Sequence, residues 1–239
     1  MIQPTFPRSY RSLLACSLLA VATSSSTAQT MDKPPTLDVG DKWTYRFHNV
    51  GDKRDPFTYT HEVKTVDGAS AWIVGETNLP SAPSKFVWRY DLKRADTLER
   101  FEYDMGAPNG AGRRTLDLQK NDDFFQFPLV VGKKFDVREI WIGGNDGSGH
   151  NEFKAEVQAY EKVKVEAGEF DAFRIKYSGW WTRVSGAGTG RAELLRWYSP
   201  VAKRIVKSET NFRTPSNPGG NHFTVELVKW EPAPKAKSP

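Results

Sequence analysis

The chain has 239 residues, with 34 lysines and arginines against 29 aspartates and glutamates, a formal balance of only +5. Its bases alternate with acids instead of clustering, which argues against a nucleic-acid or anionic-membrane footprint, and its one cysteine excludes a disulfide framework. What stands out is the aromatic load of eight tryptophans, eight tyrosines and fourteen phenylalanines.

Taken in order, Arg8 and Arg11 precede the apolar run Ser12 to Ala22 and a small-residue segment ending Ser26-Thr27-Ala28. That is the pattern of a secretory signal over 1–28 with a Ser-x-Ala cleavage site, and it predicts a periplasmic or secreted protein beginning at Gln29. Cleavage there removes Cys16, so the exported chain has neither disulfide nor thiol chemistry and must hold together by packing. Leu13-Leu14-Ala15-Cys16 also resembles a lipoprotein box, but the apolar run continues past Cys16 and leaves too little hydrophobic length ahead of it. No later segment is long and apolar enough to cross a bilayer as a helix. Residues 29–38, with Pro34-Pro35, read as a lead-in linker; 39–231 read as one domain; the proline- and lysine-rich 232–239 read as a disordered tail.

Within the domain the dominant period is two. Trp43, Tyr45 and Phe47 alternate with polar neighbours, as do Phe57, Tyr59, His61 and Val63, then Phe86, Trp88, Tyr90 and Leu92. Trp72 to Val74, Thr97 to Asp104 and Thr115 to Leu118 read as further strands, and Asp67-Gly68 as a turn. Phe124 to Val131 is apolar without alternation, and Pro128 within it argues against a central strand; it reads as an edge segment or a plug across the mouth of a sheet. Phe135, Val137 and Trp141 resume the alternation. Phe153 to Ala159 lead into a hairpin whose arms carry Val163 and Val165, then Phe173, Ile175 and Tyr177, around the turn Glu166-Ala167-Gly168-Glu169. A following strand carries Leu194, Leu195, Trp197 and Tyr198 and stops at Pro200; with apolar groups on both faces it should be central, and Trp197 should be buried. Arg204 to Lys207 and Phe223 to Leu227 complete the set. No ordinary helix is legible after the signal, so the fold class is all-β: an antiparallel sheet of about ten or more strands curled into a barrel or half-barrel.

Phe127-Pro128-Leu129-x-Val131-Gly132-Lys133, Ala167-Gly168-x-Phe170-x-Ala172-Phe173-x-Ile175, Trp197-Tyr198-Ser199-Pro200 and Val206-Lys207 together resemble secreted bacterial proteins of the loose TapB-like group. The likeness covers roughly the second half of the mature chain and rests on turns, core aromatics and a proline corner. Where such proteins place a glycine after the proline, this chain has Val201-Ala202-Lys203. The resemblance implies an open antiparallel barrel similar to periplasmic lipoprotein carriers, and no established activity.

Constellations for chemistry are absent from the sequence. His48, His61, His150 and His222 lack the spacing of a metal site; His61-Glu62 begins like a zinc-protease helix but lies in a strand pattern without a second histidine. Gly143 to Gly149 resembles one copy of a calcium-binding repeat, which cannot stack alone, and Gly186 to Arg191 does not open a helix; both read as loops. There is no Gly-x-Ser-x-Gly elbow. The acid pairs Asp122-Asp123 and Glu166/Glu169 read as solvated. No cofactor or metal is expected, and no catalytic residue is assigned. The candidate ligand-binding residues are Trp180, Trp141 and Tyr198. Trp180 and Trp181 point to opposite faces, with Trp180 continuing the polar face of Arg174, Lys176 and Ser178, so both are buried only if both faces are covered; if the sheet curls, one face becomes a cavity, and an apolar cavity is a ligand site. The reading that follows is a non-enzymatic exported protein holding a hydrophobic or lipid-like ligand. The alternatives are carbohydrate or envelope-polymer binding on an exposed tryptophan platform, and a hydrolase whose acids the sequence does not reveal.

Overall fold

The computed structural model describes residues 29–51, 55–78, 84–104, 112–117, 123–142, 148–184 and 188–234. The stretch 1–28 expected as a signal, Asp122, the glycine-rich stretches 143–147 and 185–187 and residues 235–239 lie outside the described residues.

Among the described residues the regular secondary structure is strand, with no helix. The strands are β1 (Thr30–Met31), β2 (Lys42–Asn49), β3 (Phe57–Asp67), β4 (Ser70–Thr77), β5 (Ser84–Asp91), β6 (Asp96–Asp104), β7 (Gly112–Asp117), β8 (Leu129–Val130), β9 (Lys134–Ile142), β10 (Ser148–Val165), β11 (Gly168–Arg183), β12 (Gly188–Ser199), β13 (Arg204–Thr214) and β14 (Asn217–Glu231). Twelve of them form one antiparallel sheet in the order β7-β6-β5-β4-β3-β2-β14-β13-β12-β11-β10-β9. The chain therefore begins in mid-sheet at β2, meanders out to one edge at β7, crosses to the opposite edge at β9, and meanders back until β14 pairs with β2. Edge strands β7 and β9 approach each other without pairing, so the sheet is curled but not closed.

Several register shifts accompany the curl, including those at Val157/Ala159, Trp197/Tyr198 and Leu227/Lys229. Each bulge adds local twist and bends its strand, which lets a wide sheet wrap. The hairpin β10–β11 is the longest pairing, and its turn leaves Gly168 at φ 135°, where an L side chain would be strained. Cross-strand partners share a face, so the registers fix which side chains line the inside. Trp43 faces His61, Tyr45 faces Tyr59, Tyr177 faces Leu194, and Arg196 faces Ser208.

The crossing from β7 to β9 fills the enclosed side. Phe124, Phe125 and Leu129 are buried, the Phe127-Pro128 peptide is cis, and the Tyr177 hydroxyl donates to the Phe124 carbonyl at 2.6 Å. Phe125 packs on Tyr198 with ring centroids 4.7 Å apart. The segment is a plug, and among the described residues its strand β8 pairs with β1 alone. That pairing corrects one expectation. Residues 29–38 are not a free linker: β1 is in register with β8, and Leu37 is buried in the core.

A second tie closes the same end of the molecule. Asp41 is fully buried and accepts from the Asp38 amide at 2.8 Å, the Ala233 amide at 2.9 Å and the Lys203 ammonium at 2.7 Å. Lys203 stands at φ 61° in the turn after Pro200, the left-handed conformation that glycine would adopt without cost. Its side chain also reaches Asp38 at 2.6 Å, and the neighbouring Ala202 carbonyl accepts from the Trp43 indole at 2.7 Å. Burial disfavours the charged ammonium, but the two carboxylates outweigh it and hold Lys203 above its ordinary pKa. The N-terminal strap, the β12–β13 turn and residue 233 are thus joined at one buried carboxylate.

Candidate ligand-binding site in the aromatic cup

Burial along the inner face runs in one direction. Trp43, Val63, Tyr90, Tyr198 and Leu227 are buried at the plugged end, whereas Phe47, Phe57, Trp88 and Phe223, farther along the same strands, are half-buried. The result is a cup with a packed floor and a partly open wall. That wall is a continuous run of rings from Trp181 through Phe212, Phe223, Phe47, Phe57, Tyr59, His61 and Trp88 to Phe86, with successive centroids 4.4 to 6.4 Å apart. Gly75 sits under Trp88, whose ring occupies the position a Cβ would need.

Between floor and wall lies a cavity of about 260 Å³. It is lined by Tyr45 and Tyr59 from β2 and β3, Tyr90 from β5, Arg196 and Tyr198 from β12, Arg204 and Ser208 from β13, and Asp96 and Phe125 from β6 and the plug. Strands β5 and β12 are separated by five others in the sheet, so only curling brings Tyr90 and Tyr198 to one space.

The polar groups here divide into satisfied and unsatisfied. The Tyr45 hydroxyl donates to the Ile205 carbonyl at 3.0 Å and that of Tyr198 to the Lys203 carbonyl at 3.3 Å. Asp96 accepts from the amides of Thr97 at 2.7 Å and Phe124 at 3.3 Å, which anchors the plug together with the Arg94–Asp123 ion pair. Arg204 contacts the His61 ring nitrogen at 3.1 Å and lies over Trp43 and Tyr90. Arg196 lies over Phe124 at 4.1 Å and Tyr177 at 5.4 Å from the ring centroids. Among the described residues no carboxylate lies within ion-pair distance of Arg196 or Arg204, and the hydroxyls of Tyr59 and Tyr90 have no protein partner.

Burial raises the pKa of Tyr45 to about 12 against the opposing pull of Arg204, and it raises Tyr59, Tyr90 and Tyr198 as well. These phenols are therefore neutral donors throughout the physiological range. Desolvation also lifts Asp96 above the usual carboxylate range, against its amide hydrogen bonds and the field of Arg196. Glu139, which accepts from Asn151 at 2.7 Å, is raised for the same reason.

Of the three candidates named from sequence, Tyr198 lines this cavity. Trp180 does not: β11 turns Tyr177 inward and Trp180 outward, where it is 51% exposed with the Arg191 guanidinium 5.1 Å from its ring centroid. Trp141 lies in β9, with its side chain outside the described residues. Trp180 and Tyr198 are thus not brought together. Asp96, Arg196 and Arg204 were not singled out by the sequence, although one signal was present: Arg196 falls between Leu194 and Tyr198 on one strand face, a charge at a core position. Among the described residues no three His, Cys, Asp or Glu side chains converge as metal ligands, and no helix is long and apolar enough to cross a membrane.

Neither a scan of protein-family models nor a search of curated proteins finds a match to this chain. Three crystal structures are loosely similar. A candidate lipoprotein of Parabacteroides distasonis is 14% identical, with a TM-score of 0.48 over 85% of this chain and 100% of that one. A candidate exported protein with a YmcC-like fold from Bacteroides fragilis is 14% identical, with a TM-score of 0.45 over 84% and 99%. The hypothetical lipoprotein YmcC of Escherichia coli is 10% identical, with a TM-score of 0.40 over 81% and 85%. The TapB-like group has no counterpart among these three descriptions.

Proposed function

We propose that this is an exported binding protein of the TapB-like kind that holds an amphipathic small molecule inside the curled sheet, without transforming it. The observation that carries the reading is the half-buried ring wall leading down to a cavity of about 260 Å³. That volume is close to the lower end of small-molecule sites, roughly 300 Å³, and the open wall above it extends the apolar surface available to a ligand. A sheet stabilised only by its core would bury its aromatics; here the floor does so and the wall does not. A tryptophan platform for carbohydrate finds less support, since Trp180 is exposed on the outer face while Trp197, on the same face, is buried. Hydrolysis would draw on Asp96 and Glu139, but only Asp96 borders the cavity, and both its oxygens already accept backbone amides.

Native mass spectrometry of the protein purified from its own envelope tests this. The expected result is an adduct of a few hundred daltons that leaves on stronger activation. A bare polypeptide mass, unchanged after incubation with an envelope lipid extract, contradicts the reading.

A further inference from the structure

Resting on the cup as a binding site, we infer that it selects an oxyanion: Arg196 and Arg204, with the Tyr59 and Tyr90 hydroxyls, receive the carboxylate or phosphate end of an amphiphile whose apolar body lies along the ring wall. The warrant is an imbalance of donors over acceptors. A guanidinium offers five N–H groups in a planar fork matched to a two-oxygen acceptor. The faces of Phe124 and Tyr177 offset the charge of Arg196 but take none of those hydrogens in plane. Arg204 spends one nitrogen on His61, and the rings of Trp43 and Tyr90 hold the rest of the group over the cavity. Among the described residues one carboxylate borders the space, Asp96; it feels the field of Arg196, but its oxygens are engaged by the amides of Thr97 and Phe124. Two cations and two neutral phenols are left facing one small space, and their shared complement is an anion with several lone pairs.

Position favours the charged end as the deep end. Arg196 pairs with Ser208 across β12 and β13 beneath the ring wall, and Arg204 lies at the first residue of β13, beside the plugged floor. A ligand entering past Phe47 and Phe57 would meet rings first and cations last. Bidentate charge-assisted hydrogen bonds in such a place are strong because the surroundings are apolar and the fork is already oriented by stacking.

Equilibrium binding of dodecanoate, dodecyl phosphate and dodecanol to the intact mature protein tests the inference, with acetate and inorganic phosphate as head groups alone. The two anionic amphiphiles should bind at least about tenfold more tightly than dodecanol, and Arg196→Gln should cost them about tenfold to a hundredfold while leaving dodecanol unchanged. Arg196→Lys, which keeps the charge and loses the fork, should fall between, and Tyr59→Phe with Tyr90→Phe gives a milder loss in a shape-conserving background. Melting curves of each variant separate lost binding from lost folding. Equal binding of all three amphiphiles overturns the oxyanion inference and leaves the cup as a binding site. Binding of none overturns both. Acetate or inorganic phosphate binding as tightly as its amphiphile would show that the cup recognises the free ion and not a lipid-like molecule.

Discussion

Replacing Asp41 by alanine removes the carboxylate that joins three chain segments. In the wild type it accepts from the Asp38 amide, the Ala233 amide and the Lys203 ammonium, with the carboxylate fully buried and the lysine side chain 18% exposed. Hydrogen bonds to a charged group contribute about 1.5–3 kcal/mol each, and they are not additive within one network. Stranding a largely buried cation by deleting its partner costs about 3–5 kcal/mol, which is the better guide here. Asp38 moderates the loss, since it still holds Lys203 at 2.6 Å, so about 3 kcal/mol is expected for Asp41→Ala. Asp38→Ala is the matched control: it removes the other carboxylate from the same lysine, but that carboxylate is 62% exposed, and less than about 1 kcal/mol should follow. Urea unfolding followed by tryptophan fluorescence reads both, as a shift of midpoint at unchanged slope. If Asp41→Ala shifts stability no more than Asp38→Ala, the buried carboxylate does not hold the strap, the turn and residue 233 together.

Other consequences follow from burial and close approach. Trp197 is 8% exposed and donates to Glu161 at 2.9 Å, so Trp197→Ala should cost about 3 kcal/mol, whereas Trp180→Ala should stay within about 1 kcal/mol; urea unfolding of the two should rank them so. Gly179→Ala would bring a Cβ to 1.8 Å from the Glu152 carbonyl oxygen of β10, and a loss of about 1–3 kcal/mol in the same assay is expected, since backbone must move. Lys203 has its folded pKa raised, so its contribution is complete below the unfolded value, near 10.4 for a lysine, and is lost as pH rises through the folded one; melting temperature should fall on that alkaline side, and less so in Asp41→Ala.

Period-two alternation was enough to place the strands, because half-buried strands write their faces directly into the chain: Trp43, Tyr45 and Phe47 point one way in the sequence and in the sheet. The same logic placed Trp197 in a covered site, and the loss of alternation from Phe124 to Val131, with Pro128 inside it, left that stretch as either an edge segment or a plug. It did not decide whether Trp180 faces the cavity, because parity says which residues share a face but not which face is enclosed; that depends on the direction in which the sheet curls. The cavity was illegible for a related reason. Tyr90, Asp96, Arg196 and Arg204 come from distant parts of the chain and meet only because β5 and β12 face one another across the cup. The strap at 29–38 was misread because its two prolines outweighed Met31 and Leu37, the residues that dock it.

Whether a ligand sits inside the cup is read most directly by titrating the chain from Gln29 onward with the fluorescent amphiphile anilinonaphthalene sulfonate, comparing wild type with Ser208→Trp and Trp180→Ala. Ser208 lines the cavity beneath the rings, so a tryptophan there fills it, while Trp180 lies on the outer face. The expected result is saturable one-to-one binding that Ser208→Trp abolishes in a protein still folded by circular dichroism, with Trp180→Ala indistinguishable from wild type. Binding that survives the filled cavity and disappears with Trp180 would contradict it.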